Sequence, residues 1–302
     1  LGATTAGSDN SFAVVRSYVD GAEIELAGRL IEIPEPGTDG PGWQAVRQLS
    51  ATYQGSSVRF SLDDQDPHRM PGAERTERRL PETEAARWQS MLAEAWEILV
   101  SRHSGSAAAV GSLISALTPL PSIEEGDRSA TSKEAIGNIG LSAPRSPHGL
   151  AVTLAHEVQH VGLNALIDLV RLTNDDGDRR YYAPWRPDPR PLGGLLQGAY
   201  AHLGISAFWR TERHELSGAA ALSAHTEFAR WRTATALTIH TLLESDGLTS
   251  AGRLFITTMG DTVREWCAEP IPVQALDRAR HAADQHLADW TRANGRAFEP
   301  AL

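Results

Sequence analysis

Two histidines stand four residues apart around a glutamate in His156-Glu157-Val158-Gln159-His160, and this is the most chemically pointed stretch of the chain. Apolar Val152, Leu154, Val158, Val161, Leu166 and Leu169 surround it at mostly helical steps, so the pattern predicts a helix. On a helix, residues i and i+4 share a face about one turn apart, which lets both imidazoles reach one divalent cation with Glu157 beside it. A chain of this composition meets the motif by accident in roughly 3% of cases, so context has to decide. The plainer alternative is a pair of partly exposed histidines on a core helix, which would need several hydrogen-bond partners.

The common completion of such a pair is a zinc peptidase site with Glu157 as general base toward a metal-bound water. Its third ligand is the test. A metzincin continues with glycine and histidine three and six residues after the second histidine, where this chain has Leu163 and Leu166. A thermolysin-like site needs a downstream glutamate, and none occurs between Glu157 and Glu212. His202, in the apolar run Gly198-Ala199-Tyr200-Ala201-His202-Leu203-Gly204, is the expected third ligand, with Asp188, His214 and His225 as weaker substitutes and a satisfied core histidine as the alternative. Three facial ligands leave coordination positions open, as non-haem iron chemistry requires.

The elements that would position these groups can be read around them. The stretch Ala135 to Ala143 alternates as a strand and ends at Pro144 and Pro147; the motif helix follows from Gly149 or Leu150 to Leu172. A segment from Thr173 to Pro191, with Pro184, Pro187, Pro189 and Pro191, then leads to a helix over Leu192–Arg210; connections this long inside a compact domain are usually functional. Three more helices are expected over 216–244, 248–267 and 273–293. Upstream, an amphipathic helix starts from Pro81, carrying Trp88, Leu92, Ala95, Trp96 and Leu99, and a weaker helix covers 106–117. Residues 1–80 are punctuated by Gly, Pro and Asp (Pro34 to Gly37, Asp39 to Gly42), with one or two strands expected, one at Ser57–Leu62. The fold class is mainly α with a small β-sheet (α+β): a zincin-like motif helix beside a short sheet and a helical C-terminal half. The expected organisation is 1–80 mixed, 81–213 metal-binding core and 214–302 helical, as one catalytic unit.

Composition sets bounds on partners. The chain has 302 residues with 28 Lys plus Arg against 38 Asp plus Glu, a net charge of -10, which lacks the positive field of a nucleic-acid binder. No apolar run is long enough for a membrane span, and the start has no secretion-signal pattern. The single cysteine, Cys267, sits in an apolar-periodic stretch and is expected to be buried and inert, which suits a reducing cytoplasm. The chain opens on Leu1, which is compatible with a piece of a longer polypeptide.

Several stretches together resemble a known family. These are Ala155 through Leu169, Tyr182-Ala183-Pro184-Trp185-Arg186, Asp188-Pro189-Arg190-Pro191-Leu192 and Leu196 through His202, with the acidic turn Asp63-Asp64-Gln65-Asp66-Pro67 and Ser129-Ala130-Thr131-Ser132 upstream. They are similar to the HExxH-type 2-oxoglutarate-dependent peptide β-hydroxylases, first described as HExxH-motif peptide modification proteins. The similarity covers about residues 57–210.

The resemblance implies an Fe(II) enzyme that uses 2-oxoglutarate and O2 to hydroxylate the β-carbon of a residue in a ribosomally made precursor peptide, in RiPP natural-product biosynthesis. It also implies the setting: a domain of, or partner to, another peptide-modifying enzyme. His156 and His160 would be iron ligands; Glu157, not needed as a hydrolytic base, would orient water or a ligand. The far carboxylate of 2-oxoglutarate needs a cation, best an arginine fork, and Arg190 then Arg186 are nominated from the Pro-stiffened segment. Tyr181, Tyr182 and Trp185 could wall the co-substrate or peptide pocket. The strand Ile136 to Leu141 is either an edge able to pair with an extended peptide or an ordinary internal strand. A zinc peptidase with an atypical third ligand and a metal-free peptide-binding module remain the alternatives.

Overall fold

A computed structural model describes residues 2–4, 13–19, 21–35, 37–66, 68–71, 78–122 and 127–295. Pro36, Pro67, Leu1 and residues 5–8, which figure in the sequence reading, lie outside them. The fold is α+β with a helical C-terminal half. Its contacts group the chain into two compact units, residues 1–100 with 111–151, and residues 101–110 with 152–302. This grouping differs from divisions at 80 and 213, because the first unit takes in most of the Pro81 helix and the whole main sheet, and the second starts inside the motif helix.

The first unit is richer in strands than its punctuation suggested. It holds β1 (Gly2–Thr4), β2 (Ala13–Tyr18), β3 (Gly21–Leu26), β4 (Arg29–Ile33), β5 (Trp43–Ala45), β6 (Arg47–Tyr53), β7 (Ser56–Leu62), β8 (Ala116–Pro119), β9 (Ser129–Thr131) and β10 (Asn138–Leu141). The main sheet has the order β6-β7-β8-β10-β9; β2, β3 and β4 form a separate meander, and β1 pairs with β5. Among the described residues, seven strands thus lie upstream of residue 80, where one or two were expected. The reason is the turns. Ala27-Gly28 and Gln54-Gly55 both have positive φ at both central positions, as in tight two-residue hairpin turns, but Ala and Gln give no signal at the first of them.

Strand β10 is fully buried and paired on both sides, parallel to β8 and antiparallel to β9. The expectation of a peptide-pairing edge over Ile136–Leu141 is therefore corrected: the edges of this sheet are β6 and β9. The acidic turn is a structural anchor. Asp64, buried, accepts from the Leu80 backbone N–H at 3.0 Å and from Arg47 at 3.4 Å, while Asp63 and Asp66 accept from the backbone N–H groups of Asp66 and His68.

The helices begin with α1 (Glu82–Arg102) and α2 (Ser104–Leu113), the latter shorter than expected because residues 116–119 continue as strand β8. Helix α3 (Pro147–Leu169) carries the motif, contributing its first residues, to Ala151, to the first unit and the rest to the second. Then come α4 (Leu192–Glu215), α5 (Gly218–Glu244), α6 (Ser250–Cys267) and α7 (Val273–Asn294). In the second unit α5 packs against α4, α6 and α7. Leu163, Leu195, Leu196, Leu242, Ile256 and Met259 belong to its core, each such side chain stabilising by about 1.5–3 kcal/mol on burial. Cys267 is exposed, contrary to expectation: it ends α6 one turn beyond Val263, the last buried residue of that helix. Among the described residues no helix is long and apolar enough to cross a membrane.

The segment between α3 and α4 is held along its length. The backbone N–H of Thr249 donates to the Leu172 carbonyl at 3.0 Å, its hydroxyl donates to the Arg171 carbonyl at 2.7 Å, and Thr173 bridges Leu248. Farther on, Tyr181 and Arg190 exchange backbone hydrogen bonds at 2.8 and 2.9 Å. Gly252, in the first turn of α6, permits the first of these clamps, since a Cβ there would overlap the Leu172 carbonyl oxygen. The backbone can yield little, so Gly252→Ala should destabilise by about 3 kcal/mol. Gly105→Ala, in open space on α2, should be neutral or slightly stabilising. Chemical denaturation of the two variants checks this contrast.

Candidate metal centre

The candidate site lies within the helical unit. Helix α3 supplies His156, Glu157 and His160, and α4 supplies Gln197, Gly198 and His202. The His156 ring centre is 4.9 Å from that of His160 and 5.3 Å from that of His202. With metal–nitrogen bonds of about 2.1 Å, two imidazoles that share one ion have ring centres about 5 Å apart. The structure thus sets His156 at that separation from each of the other two predicted histidines.

The hydrogen bonds behind the rings select their tautomers. His202 Nδ1 donates to the Gly198 carbonyl at 2.9 Å, which leaves Nε2 with the lone pair. His160 Nδ1 lies 3.1 Å from Gln197 Oε1, and the Gln197 amide donates to Asn164 Oδ1 at 2.7 Å. That second bond turns the Gln197 oxygen toward His160, so Nδ1 is the donor and Nε2 again carries the lone pair. Oxygen acceptors behind Nδ1 are what metal-ligating histidines use to fix orientation and raise basicity.

Burial favours the neutral form of His156 and of His202. It lowers the His156 pKa to about 4, against the opposing pull of Glu157, whose Oε1 is 3.7 Å from His156 Nε2. The Ala201 carbonyl also favours the protonated ring, but His156 Nδ1 reaches no hydrogen-bond geometry with any partner. His202, buried, is held well below the usual histidine value, first by desolvation and then by His156. A neutral imidazole is the form that binds a metal.

Aromatic walls complete the pocket. Trp185 stacks on His202 at 4.2 Å and 17°, and Trp231 of α5 lies against the same ring at 4.8 Å. Gly198 makes the stacking possible, because a Cβ there would run into the Trp185 indole. The residues therefore fit a divalent metal in donor chemistry and in ring spacing. Their nitrogens are not yet gathered: among the described residues no group of three or more His, Cys, Asp or Glu is disposed, as it stands, to hold a metal ion.

The other nominated residues are placed as follows. Arg186 Nε and Arg190 Nη1 both bind Asp188, at 2.8 and 3.1 Å, so the two arginines share one acid. The pattern Arg186-Pro187-Asp188-Pro189-Arg190 carried that signal in the sequence. Tyr182 is buried, and its hydroxyl shares a hydrogen bond with His286 Nδ1 at 2.9 Å. Tyr181 donates to Asp176 at 2.8 Å. His214 and His225 face each other at 6.2 Å as a separate ring pair. Glu212 is buried and engaged by Arg102 and His103, each at 2.9 Å. Sequence reasoning missed Gln197, although its helix was expected to supply His202, and Trp231, whose helix gave no sign of a site.

No protein-family model matches this chain, and none of the curated proteins compared with it is significantly similar.

The depressed histidine value fixes a sign. Between pH 6.5 and about 4 the unfolded chain takes up a proton at His156 that the folded chain does not, so stability present above pH 6.5 is lost as pH falls through this window. Denaturation of metal-free protein across that range should show the loss, and His156→Gln should reduce it, leaving the part that His202 contributes.

Proposed function

We propose that the chain is an Fe(II)- and 2-oxoglutarate-dependent oxygenase that hydroxylates the β-carbon of a residue in a ribosomally made precursor peptide. The observation that carries the reading is the cluster of three imidazoles, with His156 at metal-sharing separation from each of the other two and with Nδ1 of His160 and of His202 tied to an oxygen. The resemblance of residues 57–210 to the HExxH-type peptide β-hydroxylases gives it a reaction. The engagement of Glu212 by Arg102 and His103 counts against a thermolysin-like completion.

In this reading His156, His160 and His202 hold the iron through Nε2, with small ring rotations gathering the three nitrogens. The Gly198 carbonyl and Gln197 keep the tautomers, and Trp185 and Trp231 exclude water from one side of the pocket. Glu157, 2% exposed, orients a water or ligand next to His156. Bound iron with the keto acid and dioxygen supplies the oxidising chemistry: the keto acid leaves as succinate and carbon dioxide, and the peptide C–H becomes C–OH. Iron(II) suits a reducing cytoplasm, and a companion peptide-modifying enzyme would share the substrate.

Anaerobically iron-loaded protein given 2-oxoglutarate, ascorbate, oxygen and the peptide should yield succinate and a +16 Da product by mass spectrometry. His156→Ala and His160→Ala should each lower turnover by about 100-fold or more, while Glu157→Gln should keep measurable turnover. Peptide cleavage that is abolished in Glu157→Gln, with zinc retained, would instead establish a zinc peptidase with an atypical third ligand.

A further inference from the structure

Arg230 stands out on α5 beside the candidate site. Its guanidinium carbon lies 4.4 Å from the Trp231 ring centre, on the residue whose ring also meets His202 at 4.8 Å. Together these contacts put the guanidinium within about 9 Å of the His202 ring. Its positive charge is felt at His202, Tyr182 and His286 alike. Arg230 is partly buried, and among the described residues it makes no ion pair or hydrogen bond.

Among the described residues, none of the nearby acids is paired with it. Glu227, one turn back on α5, accepts from Trp231 Nε1 at 2.7 Å. Asp289 of α7 accepts from Gln285 and Arg292, both at 2.9 Å. Asp188 is taken by Arg186 and Arg190. Arg230 thus lies among imidazoles, a phenol and an indole, with Glu227 the nearest acid on its own helix. A guanidinium in such surroundings is suited to a carboxylate, which it can bind through two parallel hydrogen bonds.

We propose that Arg230 is the carboxylate-binding cation of the histidine cluster, holding the far carboxylate of a small dicarboxylic keto acid in place of the two loop arginines. The span agrees with this. An extended five-carbon diacid has carboxyl carbons on the order of 5 Å apart, from bond lengths near 1.5 Å, which with a hydrogen bond of about 3 Å at the guanidinium reaches toward the imidazoles. The inference deepens the oxygenase reading and rests on it for the identity of the keto acid.

The test is equilibrium dialysis under anaerobic Fe(II), comparing 2-oxoglutarate with 2-oxobutyrate, which has the same keto-acid head and no second carboxylate. A parallel arm uses metal-free protein and glutarate. Wild type, Arg230→Ala, Arg230→Lys and Arg190→Ala are compared, with circular dichroism melts to establish folding. Arg230→Ala should weaken 2-oxoglutarate at least 30-fold and leave 2-oxobutyrate unchanged, Arg230→Lys should restore part of the loss, and Arg190→Ala should stay within twofold. Equal 2-oxoglutarate binding by wild type and Arg230→Ala would overturn the assignment, as would an equal loss for both keto acids. Should the Ala variant not fold, a Lys variant indistinguishable from wild type toward both keto acids would do the same. Glutarate binding that depends on Arg230, without any keto-acid binding to iron-loaded protein, would uphold the carboxylate site and defeat the oxygenase reading. Failure of wild type to bind any of the three would defeat both.

Discussion

The candidate site depends on keeping buried imidazoles uncharged where His156 lies about 5 Å from both His160 and His202. Protonated rings at that separation would repel in a place where water cannot screen them. Burial solves this for His156 and His202 by favouring the neutral form, and His202 and His160 turn one nitrogen to an oxygen acceptor. What remains on each of these two rings is a lone pair, and His156 is left with a buried nitrogen that has no partner. Such an arrangement is costly as plain structure and useful as a metal ligand set.

The rest of the helical unit follows from that requirement. A four-residue spacing on α3 gives two rings, and α4 must run alongside to bring the third together with Gln197 and the Gly198 carbonyl. Small residues at Gly198 and Gly204 allow the close approach, since side chains there would strike Trp185 and Gln159. The connecting segment is clamped by Thr249 at one end and by the Tyr181–Arg190 pair at the other, so Trp185 arrives stacked on His202. Helix α5 lays Trp231 against His202 and sets Arg230 beside that indole.

Much of this was legible in the residues. The helices from α3 onward announced themselves by apolar spacing and by Pro and Gly at their ends, and His202 was reachable by eliminating metzincin and glutamate completions. The upstream hairpins were hidden because Ala27 and Gln54 occupy left-handed positions that usually call for Asn, Asp or Gly. Arg230 was hidden for a different reason: on a helix with Arg232, which is buried against backbone carbonyls of the Trp266–Glu269 stretch, no spacing distinguishes a structural arginine from one without an ion pair. Arg190 drew attention by its loop position, although Asp188, two residues before it, already signalled the ion pair that the structure shows.

The central claim is that these three rings bind one metal ion together. X-ray absorption on anaerobically Fe(II)-loaded protein measures it directly, by counting imidazole ligands from the multiple-scattering pattern in wild type and in His202→Ala. The account predicts three imidazoles falling to two in the variant. One imidazole or none, or a count unchanged by loss of His202, would contradict it.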